Sequence, residues 1–152
     1  MKVVIAGSRG FHHNIPRHYE WLEDMIKEYE DEHGKITLVI SGRATGPDKL
    51  GEMWAKRNNA SIAAFPADWD RFGKGAGHIR NNEMGTLGDA AIIMWDGESR
   101  GTKHMISVMK QLNKPHIVRI LQPVVINEYK QMPNGLIKVK CSDGREWYAP
   151  SS

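Results

Sequence analysis

The sequence predicts an α/β protein built on an open parallel sheet with helices on both faces, carrying a β-hairpin extension at its C-terminal end. Three observations lead there. Short apolar runs at Lys2–Ala6, Ile36–Ile40, Ser61–Phe65, Asp89–Trp95 and His116–Leu121 alternate with stretches of helical spacing, the pattern of repeated strand–helix units. The runs are close to continuously apolar, as strands covered on both faces are. Several of them empty at once into glycine-rich turns, and in open α/β sheets the turns beyond the strand carboxyl ends are where ligands bind.

The first strand, Lys2–Ala6, leads into Gly7-Ser8-Arg9-Gly10-Phe11. Ser8 offers a hydroxyl and Arg9 a two-pronged fork for phosphate or carboxylate. The GxGxxG spacing of a dinucleotide fingerprint is missing. A helix follows from about Pro16 to Glu32, with Tyr19, Leu22, Ile26 and Tyr29 on its apolar face and Gly34 as its stop. The adjacent pair His12-His13 is poor metal-ligand spacing, and no acid-rich partner pattern accompanies it, so no metal site is expected. The second strand, Ile36–Ile40, runs into Ser41-Gly42-Arg43-Ala44-Thr45-Gly46-Pro47-Asp48 and a helix faced by Leu50, Met53 and Trp54. Asp48 in the first turn of that helix has two readings, a partner for the helix dipole or a contact to a ribose hydroxyl or base.

Ser61–Phe65, the third strand, opens on a long segment, residues 66–78, that reads as a functional loop. It mixes Trp69 and Phe72 with Asp68, Asp70 and glycines, as a lid over a base or sugar would. A short helix begins near Ile79, and Arg80 there is placed to point at the same pocket. The fourth strand, Asp89–Trp95, enters Asp96-Gly97-Glu98-Ser99-Arg100-Gly101-Thr102. The free N–H groups of a helix start and the positive end of its dipole make this a phosphate cradle. Its bland alternative is an ordinary strand-to-helix turn. Met105, Ile106, Met109 and Leu112 are expected to face inward as core filling. His116–Leu121 is the fifth strand.

After Gln122-Pro123 the composition changes. Val124–Ile126 reads as an edge strand, and Leu136–Cys141, Asp143-Gly144 and Arg145–Ala149 as a hairpin. The expected organisation is a domain over residues 1–121 and an extension over 122–152. A lone hairpin is marginal in water, so it is expected to dock on the main domain or on another subunit. Apolar helix faces in excess of one small sheet's needs also predict a homo-oligomer.

The chain has 152 residues, enough for a real core, and a net charge of +3 with an isoelectric point near 9.0. That balance favours anionic partners mildly. The basic residues are scattered, without the dense stripe or repeated aromatic platform of nucleic-acid binders, so single-stranded DNA is the less favoured partner. No apolar run is long enough for a membrane helix, Met1 leads straight into a strand, and the single Cys141 excludes an internal disulfide. A cytoplasmic protein without membrane partner is expected.

Taken together, Gly7-Ser8-Arg9-Gly10-Phe11, Ser41-Gly42-Arg43-Ala44-Thr45-Gly46-Pro47-Asp48, Phe65-Pro66-Ala67-Asp68-Trp69, Ala76-Gly77-His78-Ile79-Arg80-Asn81 with Met84, and Trp95-Asp96-Gly97 with Ser99 and Gly101-Thr102 resemble the YspA/YpsA-related branch of the SLOG superfamily. The resemblance covers about residues 1–120. It implies a Rossmann-like domain of bacterial or phage origin that binds a nucleotide-derived small molecule, with no cofactor. On it, phosphate sits on Gly7, Ser8 and Arg9 and on Gly101 and Thr102. Arg80 contacts phosphate or sugar, Asp48 a ribose hydroxyl, and Trp69 stacks on the base. Gly42, Arg43, Asn81, Asp96, Gly97 and Ser99 complete the ligand set. Better-known relatives, the Lonely Guy phosphoribohydrolases, split a base from a nucleoside monophosphate. Their Arg-Lys-x-x-Met segment is matched by Arg80 to Met84, which makes Arg80 the counterpart of their catalytic arginine. Their catalytic glutamate falls on Met105. If this chain is a hydrolase of the N-glycosidic bond, another carboxylate must act. Asp68, Asp70, Glu83 and Asp96 are the candidates, with Asp68 and Glu83 placed beside Arg80 in the catalytic set. The departure at Met105 favours a sensor or sequestering protein.

Overall fold

A computed structural model of the chain describes residues 1–150. It divides into two compact units, Met1–Gln122 and Pro123–Ser152. The first unit holds strands β1 (Lys2–Gly7), β2 (Leu38–Ser41), β3 (Ser61–Ala64), β4 (Ala90–Trp95) and β5 (His116–Ile120). They form one parallel sheet in the order β3-β2-β1-β4-β5. Between them run helices α1 (Pro16–His33), α2 (Pro47–Arg57), the single turn α3 (Trp69–Phe72), a 3-10 turn at Gly73–Gly75, α4 (Ala76–Leu87) and α5 (Arg100–Gln111). This is the Rossmann-like arrangement expected of the alternating pattern.

Alternation along β1 explains why helices lie on both faces. Val3 and Ile5 point to one side, among Leu22, Met25, Ile26 and Tyr29 of α1 and Leu50 and Trp54 of α2. Val4 and Ala6 point to the other, among Met84 of α4 and Met105, Ile106, Val108 and Met109 of α5. The central strands are buried on both sides, so their runs lack polar alternation. From β1 the chain goes outward through β2 and β3, then returns to the opposite side of β1 as β4. The carboxyl ends of β1 and β4 therefore flank the point where the winding reverses, the crevice that open sheets use for ligands.

Several expectations need correction. The second strand starts at Leu38, not Ile36, because the Ile36 N–H goes to the Glu30 carboxylate at 2.9 Å and not to a neighbouring strand. Residues 66–78 are not a structureless loop. Asp68 caps α3, its Oδ1 accepting from the Arg71 N–H at 3.1 Å, and α4 begins at Ala76 and runs for 12 residues. Leu112 is 40% exposed because it caps α5 from beyond the last turn. Val108 takes its place inside.

Lys114 shows how the polypeptide finishes α4. Its Nζ donates to the carbonyls of Gly85, Thr86 and Gly88 at 2.8, 2.9 and 2.7 Å. Last-turn carbonyls have no partner within a helix, and a cation there meets the negative end of the dipole. Lys114→Met keeps the stem and removes the ammonium. It should lower the unfolding free energy by about 1–2 kcal/mol, measured by urea titration.

The second unit is a three-stranded antiparallel sheet, β6 (Ile126–Gln131), β7 (Leu136–Cys141) and β8 (Glu146–Pro150), in that order. The expected hairpin is therefore two-thirds of a larger meander. Its Asp143-Gly144 turn closes with the Arg145 N–H on Asp143 Oδ1 at 3.0 Å. The edge strand is Ile126–Gln131, beyond the anticipated Val124–Ile126. Asn-Glu-Tyr-Lys-Gln has no apolar alternation because most of β6 is exposed. Its turn is made at Asn134-Gly135, where Gly135 has φ 83° and the Leu136 N–H meets Asn134 Oδ1 at 3.1 Å.

Candidate functional site

A hollow of about 490 Å³ opens at the winding reversal, a size suited to a small organic ligand. Four segments build it: the turn after β1 (Gly7, Arg9), the start of α2 (Ala44, Asp48), α3 to α4 (Trp69, Lys74, His78, Arg80, Asn81), and the turn into α5 (Asp96, Ser99, Gly101, Thr102). Arg9, Arg80 and Thr102, far apart in the chain, share this one space. Trp69 is 51% exposed at its rim. A side chamber of about 300 Å³ adjoins it, with Arg9, Ala44, Trp69 and Arg80 lining both.

The floor is fixed by a hub at Ser8, which is only 1% exposed. Its N–H donates to Met94 O at 3.0 Å, its Oγ accepts from the Asp96 N–H at 3.0 Å, and Thr102 Oγ1 lies 3.5 Å away. Ser8 thus stands behind the hollow and ties the β1 turn to the β4 turn. Asp96 Oδ1 accepts from the N–H groups of Glu98 and Ser99 at 2.9 and 2.8 Å, and these hold its carboxyl below the usual range. The turn delivers the chain into α5, whose first-turn N–H groups lack acceptors within the helix. A Cβ added at Gly101 meets nothing within 4 Å, so the start of α5 is uncrowded there.

Among the cations lining the hollow, Arg80 is anchored by two hydrogen bonds. Its Nη1 donates to Gly42 O at 2.7 Å and its Nε to Asn81 Oδ1 at 3.1 Å. Burial depresses its pKa, Asp48 opposes that, and the nearby charge of Arg9 adds to it. Asp48 is 5% exposed and accepts from the Ala44 N–H at 3.1 Å. Burial pushes its carboxyl up to about 6, against the pull of that N–H and of Arg80 and with a further push from Glu52. Gly42 is a place only glycine fits: a Cβ there would lie 2.3 Å from Arg80 Nη1 and 2.8 Å from Asp48 Oδ2.

Of the sequence candidates, Gly7, Arg9, Asp48, Trp69, Arg80, Asn81, Asp96, Ser99, Gly101 and Thr102 line the hollow. Gly42 and Arg43 line the side chamber instead. Arg43 sits at φ 60° with Nη1 on Glu52 Oε1 at 3.2 Å. Gly97 serves the turn with φ 84° and does not reach the hollow, and Ser8 is turned away from it. Neither Asp68 nor Glu83 is there. Asp68 is spent as the cap of α3, and Glu83 lies on another face of α4, beside Phe65 and Ile79. Met105, at the position of the relatives' glutamate, lines the hollow as a thioether. Sequence reasoning missed Lys74 and His78. It also missed His104, whose ring stacks on His78 with centroids 3.8 Å apart. No local spacing hints at the pair, since His78 lies on α4 and His104 on α5. Among the described residues no group of three or more His, Cys, Asp or Glu side chains is clustered for a metal ion, and no helix is long and apolar enough to cross a membrane.

Fold and site together define a doubly wound α/β protein with a hollow at its switch point that charged side chains enter. The model of the YspA, cpYpsA-related SLOG family matches residues 1–72. The gene 61 protein of Mycobacterium phage D29 is 33% identical over 86 residues, 53% of this chain and 69% of that protein. The chain belongs to the YspA, cpYpsA-related SLOG family.

Proposed function

We propose that this protein binds a nucleotide or nucleotide-derived small molecule in the hollow, as a sensor or sequestering protein. The observation that carries this reading is the convergence of Arg9, Arg80, Gly101 and Thr102 on one space with an aromatic ring, Trp69, at its rim. Two guanidinium forks and a helix start suit a phosphoryl group, and an exposed indole suits a base. Asp48 faces the same space and accepts from a ribose hydroxyl.

The test is calorimetric titration with a panel of nucleoside mono- and diphosphates. Arg80→Ala should weaken the best ligand by about 10- to 100-fold, the worth of a charge-assisted pair. No binding across the panel, or binding untouched by the substitution, would overturn the reading. Single-stranded DNA in the same assay separates the nucleic-acid alternative, because its affinity falls steeply as salt rises from about 50 to about 200 mM while a pocketed nucleotide is far less affected.

A second reading, hydrolysis of a nucleotide N-glycosidic bond, is favoured by one observation. Asp48 is a carboxyl in the hollow, pushed to about 6, beside a well-anchored arginine. A group so tuned is suited to proton transfer near neutral pH. Free base released from the panel, and lost in Asp48→Asn, would establish it.

A further inference from the structure

Asn81 connects three groups that no other residue joins. Its Oδ1 faces Arg80 Nε at 3.1 Å. Its Nδ2 faces Gly101 O at 3.3 Å and His104 Nδ1 at 3.1 Å. The orientation of this amide is not free. Arg80 Nε can only donate and the Gly101 carbonyl can only accept, so oxygen must face the arginine and nitrogen the carbonyl. With Nδ2 a donor, His104 Nδ1 must be an acceptor. The ring is therefore neutral, with its proton on Nε2.

From this geometry we infer that Asn81 and His104 are positioning residues of the hollow: with the ring held where it stacks on His78, a proton on His104 Nδ1 works against the Arg80–Asn81–Gly101 bridge. Protonation sets an Nδ1–H against the Asn81 amide N–H. Rotating Asn81 by half a turn relieves that clash, but it then presents an N–H to Arg80 Nε and an oxygen to the Gly101 oxygen. In that orientation Arg80 loses its Asn81 anchor, and the first turn of α5 loses its tie to α4. Arg80 and Gly101 belong to two of the segments that line the hollow, so acidification loosens both together.

The surroundings of His104 set the direction. Burial holds its pKa down, and the stacked His78 from α4 lowers it further. Arg80, also from α4, stands beyond Asn81, and Asp48 of α2 beyond Arg80. Of the strands that α5 packs against, β4 has no titratable side chain, β1 has only Lys2 at its far end, and β5 has His116, whose Nδ1 faces Lys114 O at 2.9 Å, and Arg119, paired with Glu28 of α1. Simple attraction predicts that added positive charge on His104 tightens anion binding. The Asn81 constraint predicts that it weakens it.

The consequence for binding rests on the anion reading of the hollow, whereas the coupling of His104 to Arg80 stands without it. Two measurements on the full chain keep them apart. In ligand-free protein, nuclear magnetic resonance follows the His104 ring and the Arg80 Nε–H from pH 8 to pH 5. The Arg80 signal should move with the His104 midpoint, and in His104→Phe, which keeps a ring against His78, that component should be lost, leaving the smaller movement that follows Asp48. An Arg80 signal that stays put while His104 titrates, or that moves equally in His104→Phe because of Asp48, overturns the inference. Sulfate, a dianion throughout this range, then probes the cradle through the Gly101 and Thr102 amides. The ratio of wild-type to His104→Phe dissociation constants, whatever its value at pH 8, should rise by at least about fivefold as His104 charges. A ratio that is flat or falls with acidification overturns the effect on binding. If sulfate fails to bind either protein, the anion reading of the hollow fails, and the Arg80 signal alone decides the coupling.

Discussion

Gly7→Ala should unfold at a far lower urea concentration than the wild type, with a loss of about 3 kcal/mol. A Cβ on residue 7 would lie 2.2 Å from Met94 O and 2.7 Å from Pro47 Cγ. Neither neighbour has room to yield. Met94 O is the acceptor for the Ser8 N–H at 3.0 Å, and β1 and β4 are paired through Gly7 and Met94 at that level. Pro47 opens α2, and its ring cannot rotate away. The added methyl must therefore part β1 from β4 or lift the α2 start, and both movements dismantle the floor of the hollow. Gly101→Ala is the matching control. It sits at another glycine of the same site, yet its Cβ meets no atom within 4 Å, and alanine is the better helix former. Its unfolding midpoint should stay within about 1 kcal/mol of wild type or rise slightly. Equal midpoints for Gly7→Ala and wild type would show that the β1–β4 junction opens at no cost, contrary to the contact geometry.

That contrast also shows what a reader of the sequence can and cannot see. Glycine at the end of an apolar run marks a turn beyond a buried strand, and this is enough to bring Gly7, Arg9, Gly101 and Thr102 to one edge of a parallel sheet. The hollow lined by Arg80 follows less directly, because residues 66–78 carry loop composition while folding as a helical turn and the start of α4. Trp69 and Phe72 gave the segment its aromatic character, but it was Asp68 acting as a cap that made it helical. Three-dimensional constraints were hidden altogether. No local pattern says that Asn81 is clamped between Arg80 and Gly101, that His78 and His104 stack from different helices, or that Lys114 reaches back to three carbonyls at the end of α4. Strand β6 was misplaced for the opposite reason. Its residues are exposed, so nothing in their hydropathy records the pairing that holds them.

Asp48→Asn should make the protein more stable at neutral pH and leave it unchanged in acid. The carboxyl is buried, and its pKa rises from an ordinary 3.8 to about 6 in the folded chain. For a carboxyl raised on folding, the native state binds the proton more tightly than the unfolded state does. Its contribution to stability is therefore fully present below about pH 3.8 and is lost as pH rises through the window to about 6. The shift corresponds to about 3 kcal/mol. Asparagine has nearly the same shape, keeps an oxygen for the Ala44 N–H, and does not ionise. Urea unfolding of the two proteins at a series of pH values should give equal stabilities near about pH 3. The difference should grow in favour of Asp48→Asn to about 3 kcal/mol by pH 7. Subtracting the two curves cancels every other titrating group common to both. A difference that stays flat with pH would mean that Arg80 and the Ala44 N–H fully offset the burial of the charge. A chain that keeps an ionised carboxylate in this position at neutral pH gives up stability for it. In the proposed function that charge acts on the hydroxyl of a bound sugar.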